Sequence, residues 1–512
     1  MPRFAIYLLC LTSLLGLVAC GGGGGGGDGG APDTGAPGSL IALAVEGDPA
    51  PDTPGNFAAF PTNPYMAVAF GGWAAFVAPT DDGTLTHVLY VLQPDATMVR
   101  VFAVSDAAPG LADGTIDSIQ DLWMCEDGTV MAYVTIVGNT NGIAFGIVKA
   151  DVAAGAATNK AFVIAHQTDI SGLHSSFTGA VLDFIDPVTA RKETDGTLWF
   201  LGQDSNAGET HLFSVDKDGT NLTLRTRTGQ ALNTGVVLSV DAFGVDPTGN
   251  HYVTVVTSDG GIGSFLATDI TGAPFTTEIV QGAGLTSGGG TLDNVHKGGR
   301  INCNSAGASI WIGEGSNQAI DDVCLFFQNS LSPQPPTVLA RTGDSAPSTG
   351  GGLLSSMNSL NTAPFARFSQ FHSTLIGAQQ PINSGTFAVL DLAGTLQLDT
   401  SSAIISGGAP QAAAYVSLRQ TARNYDEVSA DGSFLIALRW LTTSSLFWGI
   451  RETNGAVVVY PLAAQGGPAP NGDTFGSFEV TSAHTIANGV VMFRAPLATA
   501  GTGIFYQGVP QP

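Results

Sequence analysis

The chain has 512 residues, with 42 acidic against 18 basic side chains and a formal charge of −24. That charge is spread thinly along the chain, so it repels nucleic acid and anionic lipid and excludes DNA or RNA as a partner. Glycine (68) and proline (27) are abundant, and no stretch carries sustained helical periodicity, which points to short strands joined by tight turns.

Met1-Pro2-Arg3 is a minimal basic start. Phe4 to Val18 is an apolar run too short to span a bilayer as a mature helix, and Leu17-Val18-Ala19-Cys20 closes it. This order predicts a secretory signal over residues 1–19. The tetrapeptide ending in Cys20 resembles the lipobox of bacterial lipoproteins. The resemblance implies cleavage before Cys20 and acylation of Cys20, and several acyl chains make a lasting membrane anchor. Gly21 stands where an Asp would signal inner-membrane retention, so the same resemblance implies a place in the bacterial cell envelope, at the outer membrane. Gly21 to Gly27 and the Gly/Pro/Asp stretch up to Gly38 lack any large apolar residue, so residues 20–38 read as the lipidated cysteine and a flexible tether. A single folded domain is expected over 39–512.

Within that domain a loop motif recurs. Its clearest copies are Glu46-Gly47-Asp48-Pro49-Ala50-Pro51, Arg341-Thr342-Gly343-Asp344-Ser345-Ala346-Pro347 and Gln465-Gly466-Gly467-Pro468-Ala469-Pro470. Degenerate copies place the Gly47 equivalent at 105, 168, 229, 282 and 407, giving successive spacings of 58, 63, 61, 53, 61, 64 and 59 residues. Such a period marks units that bury their apolar faces only by stacking on neighbours. After each loop comes Asp-Gly or Asn-Gly turn punctuation with a strand, as at 127–133, 195–200, 431–436 and 488–493. A second strand is expected at 87–91, 143–148, 211–215, 264–268, 323–327, 386–390, 446–450 and 503–506, and a third at 98–104, 161–165, 222–226, 277–280, 337–340, 403–405 and 456–463. The last unit lacks its third strand, and Ile41 to Val45 precedes the first loop as a third strand would. Completing the last unit with that strand is the closure of a β-propeller, and an open solenoid has no use for it. The expectation is an all-β, eight-bladed propeller, with seven blades as the alternative. The chain also resembles secreted bacterial proteins, of no assigned activity, built on repeated Gly-Asp-x-Ala-Pro-Gly segments and carrying a lipid or sorting anchor.

Cys125, Cys303 and Cys324 remain once Cys10 and Cys20 are assigned to the signal and anchor. Oxidising conditions outside the cytoplasm permit a Cys303–Cys324 disulfide, those two being expected on neighbouring strands of one unit, with Cys125 a buried thiol. No cysteine or histidine cluster has the spacing of a zinc site, and no motif of a hydrolase elbow, a phosphate loop or a dinucleotide cofactor is present, so no cofactor is expected. Ser214-Val215-Asp216-Lys217 matches Ser-x-x-Lys but crosses a strand end. Asp216 to Asn221 has the start of a calcium loop without its terminal Glu, and a hairpin turn accounts for it equally. His87 and His211 share a strand position, as do Trp199 and Trp311, and packing explains both pairs. Asp48, Asp106, Asp169 and Asp344 read either as a ring of loop carboxylates or as turn caps. The leading expectation is therefore a non-catalytic, membrane-anchored scaffold binding a protein or glycan. The alternatives are a glycan hydrolase or lyase with carboxylates in the channel, and a structural or adhesive surface protein.

Overall fold

A computed structural model describes residues 39–245 apart from Asn63, Phe70, Thr194 and 233–234; strand segments and their flanks between 251 and 451; and 457–508 apart from 479–483 and 488–489. Strand β1 (Ile41–Val45) leads the chain. The first sheet follows as β2 (Met66–Ala69), β3 (Trp73–Pro79), β4 (His87–Leu92) and β5 (Met98–Ala103), and the second as β6 (Thr115–Met124), β7 (Thr129–Val137), β8 (Phe145–Ala153) and β9 (Ala156–Ala165). The third holds β10 (Leu182–Lys192), β11 (Leu198–Asp204), β12 (Thr210–Val215) and β13 (Thr223–Thr226). The fourth holds β14 (Ala231–Leu232), β15 (Gly235–Val245), β16 (His251–Thr257), β17 (Ile262–Ala267) and β18 (Thr277–Val280). The fifth comprises β19 (Thr291–Val295), β20 (Asn302–Cys303), β21 (Ala308–Ser316), β22 (Val323–Asn329) and β23 (Thr337–Arg341). The sixth is β24 (Ala366–Phe368), β25 (Thr374–Gln379), β26 (Gly385–Leu390) and β27 (Leu396–Asp399); the seventh is β28 (Tyr415–Val416), β29 (Phe434–Arg439), β30 (Ser444–Arg451) and β31 (Val457–Ala464). The eighth contains β32 (His484–Ala487), β33 (Val490–Pro496) and β34 (Thr502–Gly508), with β1 as its fourth strand.

Every pairing is antiparallel between sequence neighbours, save that β1 pairs β34 from the far end of the chain and that β19 and β20 both pair β21. Sheets meet in order: β2 touches β6, β6 touches β10, β12 touches β15 and β17 touches β19; β21 then meets β24, β26 meets β28 and β29 meets β32, while β2 also touches β32 and β33. Sequential meander sheets packed face to face in this way form a β-propeller. First strands of neighbouring sheets touch one another at β2, β6, β10 and β32, which sets them around the axis.

The core lies between sheets. Ala75, Val77 and Leu89 of the first sheet pack with Val130, Ala132 and Val134 of the second. Trp123, Met131 and Ile147 meet Phe200, Phe213 and Val215 of the third, and Trp199, Leu201 and Leu212 meet Val237, Phe243 and Val253 of the fourth. Each fully buried side chain of this size contributes about 1.5–3 kcal/mol, and no sheet can bury both faces without two neighbours. Close approach is tight at Gly128, where an added Cβ would lie 2.7 Å from the Trp73 ring of the adjoining sheet.

The recurring loop has one backbone pattern. In the first copy Gly47 N donates to Phe57 O, Asp48 N to Val45 O, Ala50 N to Gly55 O and Phe57 N to Asp48 O. Equivalent bonds run from Ser105, Asp106, Ala108 and Ile116; from Gln167, Thr168, Ile170 and Leu182; and from Gly466, Gly467, Ala469 and Phe475. The leading residue is left-handed in each described copy, with φ of 90° at Gly47, 75° at Ser105, 69° at Gln167, 75° at Gly229 and 78° at Gly466. Glycine suits that position because it has no Cβ penalty there. The motif's alanine is buried beneath the loop at Ala50, Ala108 and Ala469, with Ile170 in its place in the third copy.

Several expectations change on this frame. Each sheet carries a strand that the sequence pattern did not show, so a unit holds four strands, or five in the fourth and fifth sheets, where that pattern showed three. The third loop copy is anchored at Gln167, one residue earlier than its sequence alignment, because the left-handed residue and not the Thr-Asp pair sets the register. Cys303 and Cys324 are not on neighbouring strands: Cys303 pairs with Ser309 and Cys324 with Gly313 on opposite edges of β21. Strands two apart are separated by roughly 9–10 Å, beyond the reach of about 7 Å between disulfide Cα atoms. The signal, Cys20, the tether and Asp344 lie outside the described residues.

Candidate functional site

Among the described residues, the loop carboxylates Asp106 and Asp169 cap local backbone. Asp106 takes the Ala103 N–H at 2.8 Å and the Arg100 guanidinium at 2.6 Å, and the side chains of Thr168 and Gln230 take the equivalent N–H groups of Ala165 and Arg227. A polar side chain here caps the preceding strand, whatever its charge. Asp169 sits one residue further on and accepts from Ser171 N at 2.8 Å.

The hairpin between β11 and β12 gathers Asp204, Glu209 and His211, whose ligand atoms lie within 4.8 Å of one another. Asp204 and His211 are both buried. Asp204 Oδ1 accepts from Asn206 N (2.8 Å) and Ala207 N (2.9 Å), and Oδ2 accepts from Glu209 N (3.2 Å) and His211 Nε2 (2.9 Å). His211 Nδ1 accepts from Thr228 N at 3.2 Å, so the proton of the neutral ring sits on Nε2. Burial pushes Asp204 upward, but the bonds from His211, Ala207 and Asn206 outweigh it and hold the carboxyl below its usual range. Burial lowers His211, against the opposing pull of Asp204. Both nitrogens of His211 and both oxygens of Asp204 are thus engaged in tying the hairpin to the next loop, a structural use.

His87, the strand-position partner of His211, is exposed, with Thr86 Oγ1 at 3.4 Å from its Nδ1. His251, which the sequence does not mark out, is buried against the Trp199 ring at 5.3 Å, with Thr226 Oγ1 at 3.2 Å from its Nε2. Arg225 stacks on the other partner of that group, its Cζ 4.6 Å from the Trp199 ring centre. Trp199 packs between the third and fourth sheets. Ser214 Oγ accepts from Arg225 Nε at 2.8 Å and Lys217 pairs with Asp127 across two sheets, so the Ser-x-x-Lys match carries no chemistry. In the calcium-like hairpin Asp218 Oδ1 takes Thr220 N and Oγ1, and Asp216 Oδ2 takes Asn221 Nδ2, as a turn requires. Cys125 is free and buried, and burial raises its thiol, which makes it inert.

Among the described residues, a cavity stands out as a candidate. It holds about 310 Å³ between the third and fourth sheets and is lined by Phe184 and Asp186 of β10, Leu201 and Gln203 of β11, Thr210 of β12, and Val240 and Asp241 of β15. Gln203 and Thr210 are register partners, so they present side chains on one face, opposite to that of the buried His211. Leu201 and Val240 are buried and form its floor, continuous with the apolar core between the two sheets. Bulges shape both walls: the register of β10 shifts between Leu182 and Phe184, and that of β15 between Val240 and Ala242. A bulge re-aims side chains and recurs beside binding sites.

No protein-family model and no curated protein matches the chain. Among solved structures it is similar to a puromycin hydrolase (12% identity over 90% of this chain and 61% of that one, TM-score 0.42). It is also similar to Porphyromonas gingivalis dipeptidyl peptidase 4 (9%, 88% and 58%, 0.42) and to the Dos1 propeller (10%, 80% and 95%, 0.36). The chain spans about three fifths of the length of the two hydrolases. Identities and superpositions at this level say nothing about its chemistry.

Proposed function

We propose that the protein is a non-catalytic lipoprotein of the bacterial envelope, anchored through acylated Cys20 and the tether to 38, whose propeller binds a protein or glycan. In this reading the eight sheets form one closed ring of eight blades, with the β1–β34 pairing as its clasp. The observation that carries the binding role is the cavity between the third and fourth sheets. Polar side chains that cluster elsewhere, at Asp204, His211, Asp106 and Asp218, serve the backbone around them. At the cavity Asp186, Gln203, Thr210 and Asp241 gather over an apolar floor, the arrangement of a ligand pocket. The full-length protein in detergent, immobilised and offered defined glycans and purified envelope proteins, is expected to retain at least one of them; retention of none overturns the reading. Cys20→Ser is expected to abolish incorporation of a labelled fatty acid and to move the protein from the membrane to the soluble fraction.

Asp186 and Asp241 favour a second reading as a glycan hydrolase, since two carboxylates lining one cavity meet the first requirement of that chemistry. Release of new reducing ends from the retained glycan separates it from simple binding.

A further inference from the structure

We infer that the cavity between the third and fourth sheets receives one neutral pyranose unit of a glycan. This rests on the binding role proposed above and names its ligand class. A pyranose offers C–H groups on a face and hydroxyls around its edge, so its site needs an exposed apolar surface beside groups that both accept and donate. Phe184 supplies the first. It is 41% exposed, yet its ring is held edge-on by Phe145 at 6.5 Å, which itself stacks on Tyr133 at 6.0 Å. A large aromatic fixed from behind and open in front loses little entropy on binding.

The polar groups supply the second requirement. Asp186 is oriented by Thr189 Oγ1 at 3.0 Å and Asp241 by Ser239 Oγ at 2.8 Å, so both carboxylates are held in fixed positions in the cavity wall. Gln203 and Thr210 add one amide and one hydroxyl, each able to donate and accept. Two carboxylates in a chain of charge −24 discriminate against acidic sugars through like-charge repulsion. The volume lies at the lower end of the roughly 300–1,000 Å³ of ligand pockets, which suits one ring with the rest of a chain outside.

The test is calorimetric titration of the detergent-solubilised full-length protein with the methyl pyranosides of glucose, galactose, mannose and N-acetylglucosamine, and with glucuronate. At least one neutral pyranoside is expected to bind, with glucuronate about tenfold weaker or worse. Phe184→Ala and the isosteric Asp241→Asn are each expected to weaken that sugar by about tenfold, with circular dichroism unchanged. Gln203→Leu serves as a further variant should either fail to fold. The inference falls if no neutral pyranoside binds, if glucuronate binds equally, or if folded variants bind as the parent does. A purified protein ligand whose affinity survives every substitution would overturn the sugar and leave the binding role standing; absence of any ligand ends both.

Discussion

Acidification from pH 7 to pH 4 is expected to remove roughly 3 kcal/mol of folding free energy through His251 alone. Burial, and then the charge of nearby Arg225, lowers this imidazole to about 3. In the unfolded chain it protonates near its ordinary value of about 6.5. Between those values the unfolded state binds the extra proton, so the contribution is complete above about pH 6.5 and is lost progressively as pH falls toward the folded value. The groups facing the ring give the reason: burial against the Trp199 indole and the guanidinium stacked on that indole outweigh the hydrogen bond to the Arg225 backbone, which alone favours the charged ring. His211, also lowered by burial, adds in the same direction. Urea midpoints measured across pH 4–7 should show the slope, and His251→Gln should flatten it. An unaltered slope in that variant would place the acid sensitivity in other groups.

Asp204→Ala is expected to destabilise the protein by about 3–5 kcal/mol, as much as truncating a buried aromatic of the third sheet. The substitution removes one carboxylate but strands four donors: the N–H groups of Asn206, Ala207 and Glu209, and the Nε2 proton of His211. Buried donors left without acceptors cost about 1–3 kcal/mol each when water cannot reach them, and only part of the hairpin is open to solvent. Because His211 also receives the Thr228 N–H, the loss should spread to the loop that leads into the fourth sheet. Asp204→Asn keeps one carbonyl oxygen for the Asn206 and Ala207 donors and should cost less. Chemical denaturation of the two variants side by side checks the ranking, and equal losses would show that charge rather than acceptor count holds the hairpin.

Much of the architecture was legible because its signals are local. Asp127-Gly128, Asp195-Gly196 and Asp218-Gly219 each place a left-handed glycine after an Asp whose Oδ1 accepts the N–H two residues on, from Thr129, Thr197 and Thr220. That geometry needs only four adjacent residues, so the turns and the strands they bound could be read in order. The strand heading each sheet could not. Along β6 the register shifts around Asp117 and again around Asp121, and along β15 around Leu238 and Asp241, so alternation of apolar and polar residues is broken twice in one strand. Periodicity is the only sequence signal a strand has, and bulges erase it.

The candidate site shows the same division. The run Asp204-Ser205-Asn206-Ala207-Gly208-Glu209 reads as a polar hairpin loop, and its shortness was the one clue that Asp204 and His211 must meet. His251 gave no clue, since Thr226, Arg225 and Trp199 come to it from the neighbouring sheet. Nor did the cavity, whose seven lining residues belong to four strands of two sheets. By itself the sequence determined the strand-and-turn rhythm, the loop that repeats it, and the pairing partner left for Ile41–Val45, because each is written in residues close together or in the spacing of a repeat. Which side chains face one another across adjoining sheets was decided only in the tertiary structure. Those contacts depend on how far the bulges turn each inner strand and how closely the blades stack, and neither is encoded in any single segment.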